Sequence, residues 1–147
     1  MDQLEKFFDE LFLRKISFQL PANVKDVIVK IAPWITLIII IISIPAVLSL
    51  FGLGTLLGGM NPIVPYGFSA RYYVGLIVLT VQVILMIMAF SPLKNRELKG
   101  WKYIYYSELV SGVYALLTSY SVGSFIWSII GTAIGLYIIF QVKSYYK

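Results

Sequence analysis

Glu108 is the residue of this 147-residue chain whose type and surroundings most clearly suggest chemistry, because it is an acidic side chain close to a long apolar stretch. A carboxylate in hydrocarbon is costly unless it pairs, takes up a proton or reaches water, and such carboxylates often mark ion or proton pathways. The alternative is structural: Glu108 extends toward the nearby Lys102 or anchors a contact between helices. Both interpretations remain open from the sequence.

Other polar residues are candidates for the same intramembrane site. Ser111 lies one helical turn from Glu108, and Gly112 is a small residue on the same predicted face. Small residues let helices approach closely, so we expect this face to point into a helix bundle. There Gln82 or Gln141, from two other apolar stretches, could supply hydrogen bonds to Glu108.

A second set of small residues, Ser128, Gly131 and Gly135, predicts a helix-packing surface in the last apolar stretch. This surface would join two copies of the chain or pack against the preceding helix of the same chain. The short connection between the two helices favours the second interpretation.

Composition excludes several classes of chemistry. The chain has no cysteine and no histidine, and it contains no phosphate-binding loop, dinucleotide fingerprint or nucleophile motif. We therefore expect no cofactor, no metal site and no enzymatic activity. The net charge of +5 comes from basic residues beside apolar stretches, which is typical of membrane topology signals, so nucleic acid is not an expected partner.

The apolar content predicts a membrane protein. Hydrophobic residues make up 59% of the chain and charged residues only 13%, and the mean hydropathy is +0.85. Because about 20 helical residues cross a bilayer, the uncharged stretches predict an all-α, polytopic protein with four transmembrane helices, at about 34–53, 72–90, 103–118 and 125–142. Residues 54–70 would form an external loop or a re-entrant segment.

The basic residues predict the orientation of these spans. All but one of the twelve Lys and Arg residues fall on one side once the spans are drawn, and only Arg71 falls on the other. Positive flanks stay in the cytoplasm, so both termini are expected there. Trp101 is among the aromatic residues near span ends, where a ring with one polar edge is well solvated.

The first 20 residues form an amphipathic arm, and residues 21–147 form the transmembrane domain. Leu4, Phe7, Phe8, Leu11 and Phe12 recur at helical spacing, which predicts a helix lying in the cytoplasmic membrane interface. The alternative is that this stripe packs on the protein's own cytosolic loop. A separate short helix is expected after Pro21, with a bend at Pro33 before the first span.

Parts of the sequence resemble a known group of proteins. The stretch Ser91-Pro92-Leu93-Lys94-Asn95-Arg96, followed by Gly100-Trp101-Lys102 and Tyr106-Ser107-Glu108-Leu109-Val110, is similar to small uncharacterised four-helix membrane proteins of prokaryotes. The resemblance implies a multi-pass protein of the prokaryotic plasma membrane and transfers no activity.

Two functions are consistent with these features. The first is a non-enzymatic membrane scaffold or complex subunit, whose partners are the lipid bilayer and either further copies of the chain or another membrane protein. The second is a small oligomeric transporter or channel component that uses Glu108 as an intramembrane polar site.

Overall fold

The computed structural model describes residues 2–16, 18–50, 70–119 and 121–147. Within these ranges the chain is helical and contains no strand, which confirms the predicted all-α class. A short α1 (Asp2–Asp9) continues into a π-helical segment (Glu10–Lys15), and the four long helices that follow are α2 (Ala22–Leu50), α3 (Ala70–Lys94), α4 (Leu98–Leu117) and α5 (Val122–Val142). A 3₁₀ turn, Lys143–Tyr145, follows α5. The segment 54–70, predicted as a loop or re-entrant, lies almost wholly outside the described residues.

The four long helices pack in the order of the chain. α2 packs along α3, α3 along α4 and α4 along α5, whereas α2 and α5 touch only lightly. The ion pair between Asp26 and Arg96 and the hydrogen bond from Leu98 N to the Lys147 carbonyl bring together the start of α2, the end of α3, the start of α4 and the end of α5 at one end of the bundle. We call this the basic end, because it carries eleven of the twelve Lys and Arg residues.

Three of these helices are long and apolar enough to cross a membrane. The candidate spans are Ala22–Leu48, Tyr73–Lys94 and Val122–Tyr145, and their outer faces carry exposed isoleucines, as expected for side chains that contact lipid. α4 does not meet the same criterion by composition, since Lys99, Lys102 and Glu108 lower its hydropathy. The four-span prediction is therefore supported directly for three helices.

The first span begins earlier than the sequence predicted. α2 is a single helix from Ala22, so the expected separate helix after Pro21 and the span from residue 34 are parts of one element that contains both Pro33 and Pro45. Beside Pro33, the Thr36 hydroxyl donates to the Ala32 carbonyl at 2.9 Å.

The turn between α3 and α4 is short and fully hydrogen-bonded. Glu97 N donates to the Pro92 carbonyl at 2.8 Å and Arg96 N to the Leu93 carbonyl at 3.1 Å, the pattern of a Schellman motif. Arg96 takes the left-handed conformation that this motif requires, with φ of 57°. α4 then starts so close to the end of α3 that a Cβ on Gly100 would lie 2.5 Å from Leu93 N.

The main core lies at the basic end and is largely aromatic. Trp101 and Tyr105 stack with ring centroids 5.4 Å apart, and Phe140 of α5 meets both rings edge-on. Trp101 is 2% exposed and its indole donates to the Ile139 carbonyl at 2.8 Å. The expectation that Trp101 is an interfacial ring is wrong, because packing against α5 satisfies its polar edge inside the protein.

Candidate functional site

Glu108 lies at the contact between α4 and α5. A Cβ on Gly135 would overlap the Glu108 carboxylate, so this carboxylate rests on the bare backbone of α5. Among the described residues Glu108 has no hydrogen-bond or ion-pair partner, Lys102 included. Glu108 also borders a cavity between the helices, so a polar group faces an otherwise aliphatic space.

The structure does not bring the other predicted polar residues to Glu108. Gln141 is 1% exposed, but its amide donates to the Phe12 carbonyl at 3.3 Å and its oxygen accepts from Leu20 N at 3.4 Å. Ser111 and Gln82 are partly buried and form no hydrogen bond with Glu108 among the described residues. The expected hydrogen bond from Gln141 to Glu108 is therefore wrong, because Gln141 lies about 9 Å along α5 nearer the basic end than Gly135.

The predicted small residues make different contacts in the structure. Gly112 packs on Thr132, where an added Cβ would lie 2.5 Å from the threonine methyl group. Ser128 donates to its own helix at the Ser124 carbonyl and lies 3.4 Å from the Ser119 hydroxyl of the facing segment. Gly131, expected on the same surface, has no atom within 4 Å of its Cβ position. The residues of α5 that make these contacts are therefore Ser128, Thr132 and Gly135. They lie at positions i, i+4 and i+7 of one helix face, and Gly131, at i+3, lies at the edge of that face.

A cavity of about 380 Å³ lies between α2 and α5, two helices that touch only lightly. We call it the apolar groove. Its walls come from one side of α2 and from the basic half of α3, α4 and α5, and they include Ile28, Ile31, Ile35, Ile39, Ile138 and Val142. Ile35 is 50% exposed, so the groove is open along the side of the bundle. Among the described residues that line it, Glu108, Thr36, Trp101 and Tyr146 carry a polar side-chain atom.

The N-terminal arm packs on the end of α5. Phe12 is 5% exposed, with its ring 5.9 Å from that of Phe140, and Phe8 contacts Phe140 at 5.8 Å. The Tyr137 hydroxyl donates to the Phe18 carbonyl at 2.7 Å. For these side chains the structure shows the alternative in which the arm packs on the protein itself. The arm packs on the ends of two helices, α4 and α5, rather than on a loop. Phe7 stays 56% exposed.

Lys143 joins the arm to the bundle. Its ammonium lies 2.9 Å from a Glu5 carboxylate oxygen and 2.5 Å from one of Asp9. It also lies 4.9 Å from the ring centroid of Trp101, a cation–π distance. Two carboxylates and an aromatic face therefore hold one cation where α5 ends.

A second cavity, of about 510 Å³, opens beside Lys143, and we call it the basic cavity. Arg14, Lys25, Lys143 and Asp9 line it, together with the backbone and side chains at the end of α5. Arg14 and Lys25 form no ion pair among the described residues, so the cavity carries cations that are free to meet an anion.

Tyr146 separates the two cavities. It lines both the basic cavity and the apolar groove and is 6% exposed. Burial raises the pKa of the Tyr146 hydroxyl, and the nearby Arg96 guanidinium only partly opposes this effect. The boundary between the charged and the apolar space is thus an uncharged phenol.

Sequence reasoning missed Lys143, Arg14, Lys25 and Tyr146 as parts of a site. Each was assigned to topology or to a membrane boundary, because no local pattern relates residues 14, 25 and 143. The available signal was weak: Gln141 and Lys143 are polar residues closely spaced after a long apolar run. Among the described residues no group of His, Cys, Asp or Glu could hold a metal ion.

No known protein family, curated protein or solved structure is significantly similar to this chain.

Proposed function

We propose that the chain is an integral membrane protein that crosses the bilayer four times, through α2, α3, α4 and α5. α4 packs lengthwise between α3 and α5, both candidate spans, and its 20 residues rise about 30 Å, the thickness of the hydrocarbon core. Lys99 and Lys102 lie in its first two turns, where long side chains reach the interface. The basic end would face the cytoplasm of a prokaryotic cell, since positive flanks are retained there.

The absence of cysteine makes this topology easy to test. Single cysteines at Lys6, Lys147 and Asn61 would be labelled with a membrane-impermeant maleimide. We expect Asn61→Cys to react in intact cells, and Lys6→Cys and Lys147→Cys to react only in inverted vesicles. Labelling of the two terminal positions from opposite sides would overturn the four-span proposal.

Within the membrane, the role we propose is that of a non-enzymatic scaffold or complex subunit. The observation that supports it is how the polar side chains at the basic end are used. Gln141, Tyr137 and Lys143 all bind the arm, which fixes the arm as a platform on the membrane-embedded helices. Phe7 remains exposed on that platform, and exposed aromatic residues are typical anchors of protein interfaces. A fixed surface with an apolar anchor suits recognition of a partner.

The test is purification from the native membrane in mild detergent, with a photo-crosslinking residue at Phe7. We expect a stoichiometric partner or a homo-oligomer, and a single crosslinked species that a residue at the exposed Glu10 position does not give. A strictly monomeric protein with no partner, and no crosslink from Phe7, would contradict the scaffold role.

One observation favours a second candidate, a small oligomeric transporter or channel component. Glu108 borders the apolar groove and has no partner among the described residues, and carboxylates within transmembrane segments often mark ion or proton pathways. Proton or cation flux into liposomes that contain the purified protein should then be lost in Glu108→Gln and retained in Glu97→Gln, a control in the α3–α4 turn. Equal flux in wild type and Glu108→Gln would reject this role.

A further inference from the structure

The two cavities at the basic end lie one after the other along the same helices. On α2, Lys25 lines the basic cavity, whereas Val27, Ile28 and the isoleucines beyond them line the apolar groove. On the return side, Lys143 borders the basic cavity and Val142 borders the groove. The charged and the aliphatic space therefore adjoin at Tyr146, which lines both.

The dimensions of the groove match part of a lipid. From Val27 to Ile39 the wall on α2 rises about 18 Å, close to the roughly 15 Å depth of one leaflet of the hydrocarbon core. The groove is open to the side of the bundle at Ile35, so an acyl chain could enter from the bilayer without separating the helices. The groove walls are mainly aliphatic, and the Glu108 carboxylate, which also rests on Gly135, is a polar group at their border.

The charges of the basic cavity determine which headgroup fits. In the described part of the chain, Asp9 is the single acidic residue that lines it, against Arg14, Lys25 and Lys143, and both Asp9 and Glu5 pair with Lys143. Arg14 and Lys25 are left to face an anion. Basic pockets between membrane helices on the cytoplasmic side bind anionic headgroups in this way.

We propose that this site binds one anionic phospholipid of the cytoplasmic leaflet, with its phosphate headgroup in the basic cavity and one acyl chain in the apolar groove. Tyr146 lies where the headgroup ends and the chain begins. The proposal rests on the proposed membrane orientation of the basic end, and it adds a specific ligand to the scaffold.

Native mass spectrometry of the purified protein tests the headgroup. Phosphatidylglycerol and phosphatidylethanolamine with the same chains are compared, and soluble glycerol phosphate represents a free phosphate source. We expect phosphatidylglycerol to give one bound molecule and the Arg14→Gln/Lys25→Gln double variant to lower its occupancy about tenfold or more. Lys94→Gln/Lys99→Gln removes the same charge from exposed positions outside the cavity, and it should retain binding.

A second pair of variants tests the groove. Ile35→Trp would fill the groove, whereas Ile42→Trp places the same ring on an exposed part of α2 outside it. We expect only Ile35→Trp to reduce phosphatidylglycerol binding, with both variants unfolding at the temperature of the wild type.

Several results would overturn the proposal. They are equal binding of the two lipids, equal losses in the two double variants, full binding by Ile35→Trp, or binding of glycerol phosphate as tight as that of the lipid. A protein helix recovered in the groove in place of lipid would also overturn it. These results come from folded, detergent-soluble protein, and so they are separate from failure of the topology, which cysteine labelling reports.

Discussion

α3 and α4 approach closely at Gly100, and replacing this residue by alanine tests the geometry of the α3–α4 hairpin. The added Cβ would lie 2.5 Å from Leu93 N, 2.8 Å from the Pro92 carbonyl carbon and 3.0 Å from the Leu93 Cα. These are backbone atoms, so no side chain can rotate away. Because ordinary contacts begin near 3.4 Å, the two helix ends must separate by about 1 Å.

The cost follows from what packs at this point. Leu93 is 3% exposed and Trp101 is 2% exposed, so a shift of the hairpin loosens the aromatic core. Overpacking of a well-packed site costs about 1–3 kcal/mol. Gly131→Ala is the matched control, since nothing lies within 4 Å of the Cβ position of Gly131. This substitution raises helix propensity at least as much as Gly100→Ala does. We expect Gly100→Ala to be the less stable of the two by about 1–3 kcal/mol.

The assay is unfolding from mild detergent into dodecyl sulfate, followed by tryptophan fluorescence. Trp34 and Trp127 are 58% and 72% exposed, so the signal change comes mainly from the buried Trp101. If Gly100→Ala and Gly131→Ala unfolded at the same detergent fraction, the close approach of α3 and α4 described above would be refuted.

Three further predictions concern the basic end. Gln141→Leu removes both hydrogen bonds to the arm, which should weaken arm docking by about 1–3 kcal/mol and speed trypsin cleavage at Arg14 and Lys15 roughly tenfold; unchanged cleavage would show that Gln141 does not hold the arm. Lys143→Met retains the apolar stem but leaves two arm carboxylates unpaired, so cleavage should also become faster, and a rate equal to wild type would contradict the ion-pair contribution. Trp101→Phe loses the hydrogen bond to Ile139 and should lower thermal stability by about 1–3 kcal/mol in a thermal-shift assay, whereas Trp127→Phe, at an exposed ring, should change it little.

The sequence by itself determined the helical class and the segregation of charge. Long uncharged runs can satisfy their backbone in hydrocarbon only as helices, and this constraint is local. The positions of Lys and Arg relative to those runs then determine which helix ends meet. The short connection before α5 is consistent with Gly112 and Gly135 meeting the neighbouring helix of the same chain.

Tertiary structure alone decided how the polar residues are used. Helical periodicity places Glu108 and Gln141 on inward faces, but it carries no information about how far one helix is shifted along its axis relative to another. This axial shift places Gln141 beside the arm, where it forms its hydrogen bonds. The same holds for Gly131, because the rotation of α5 about its own axis decides whether residue 131 or 132 faces α4. The basic cavity joins residues 14, 25 and 143, which are far apart in the chain, and only the packing of the arm, α2 and α5 brings them together.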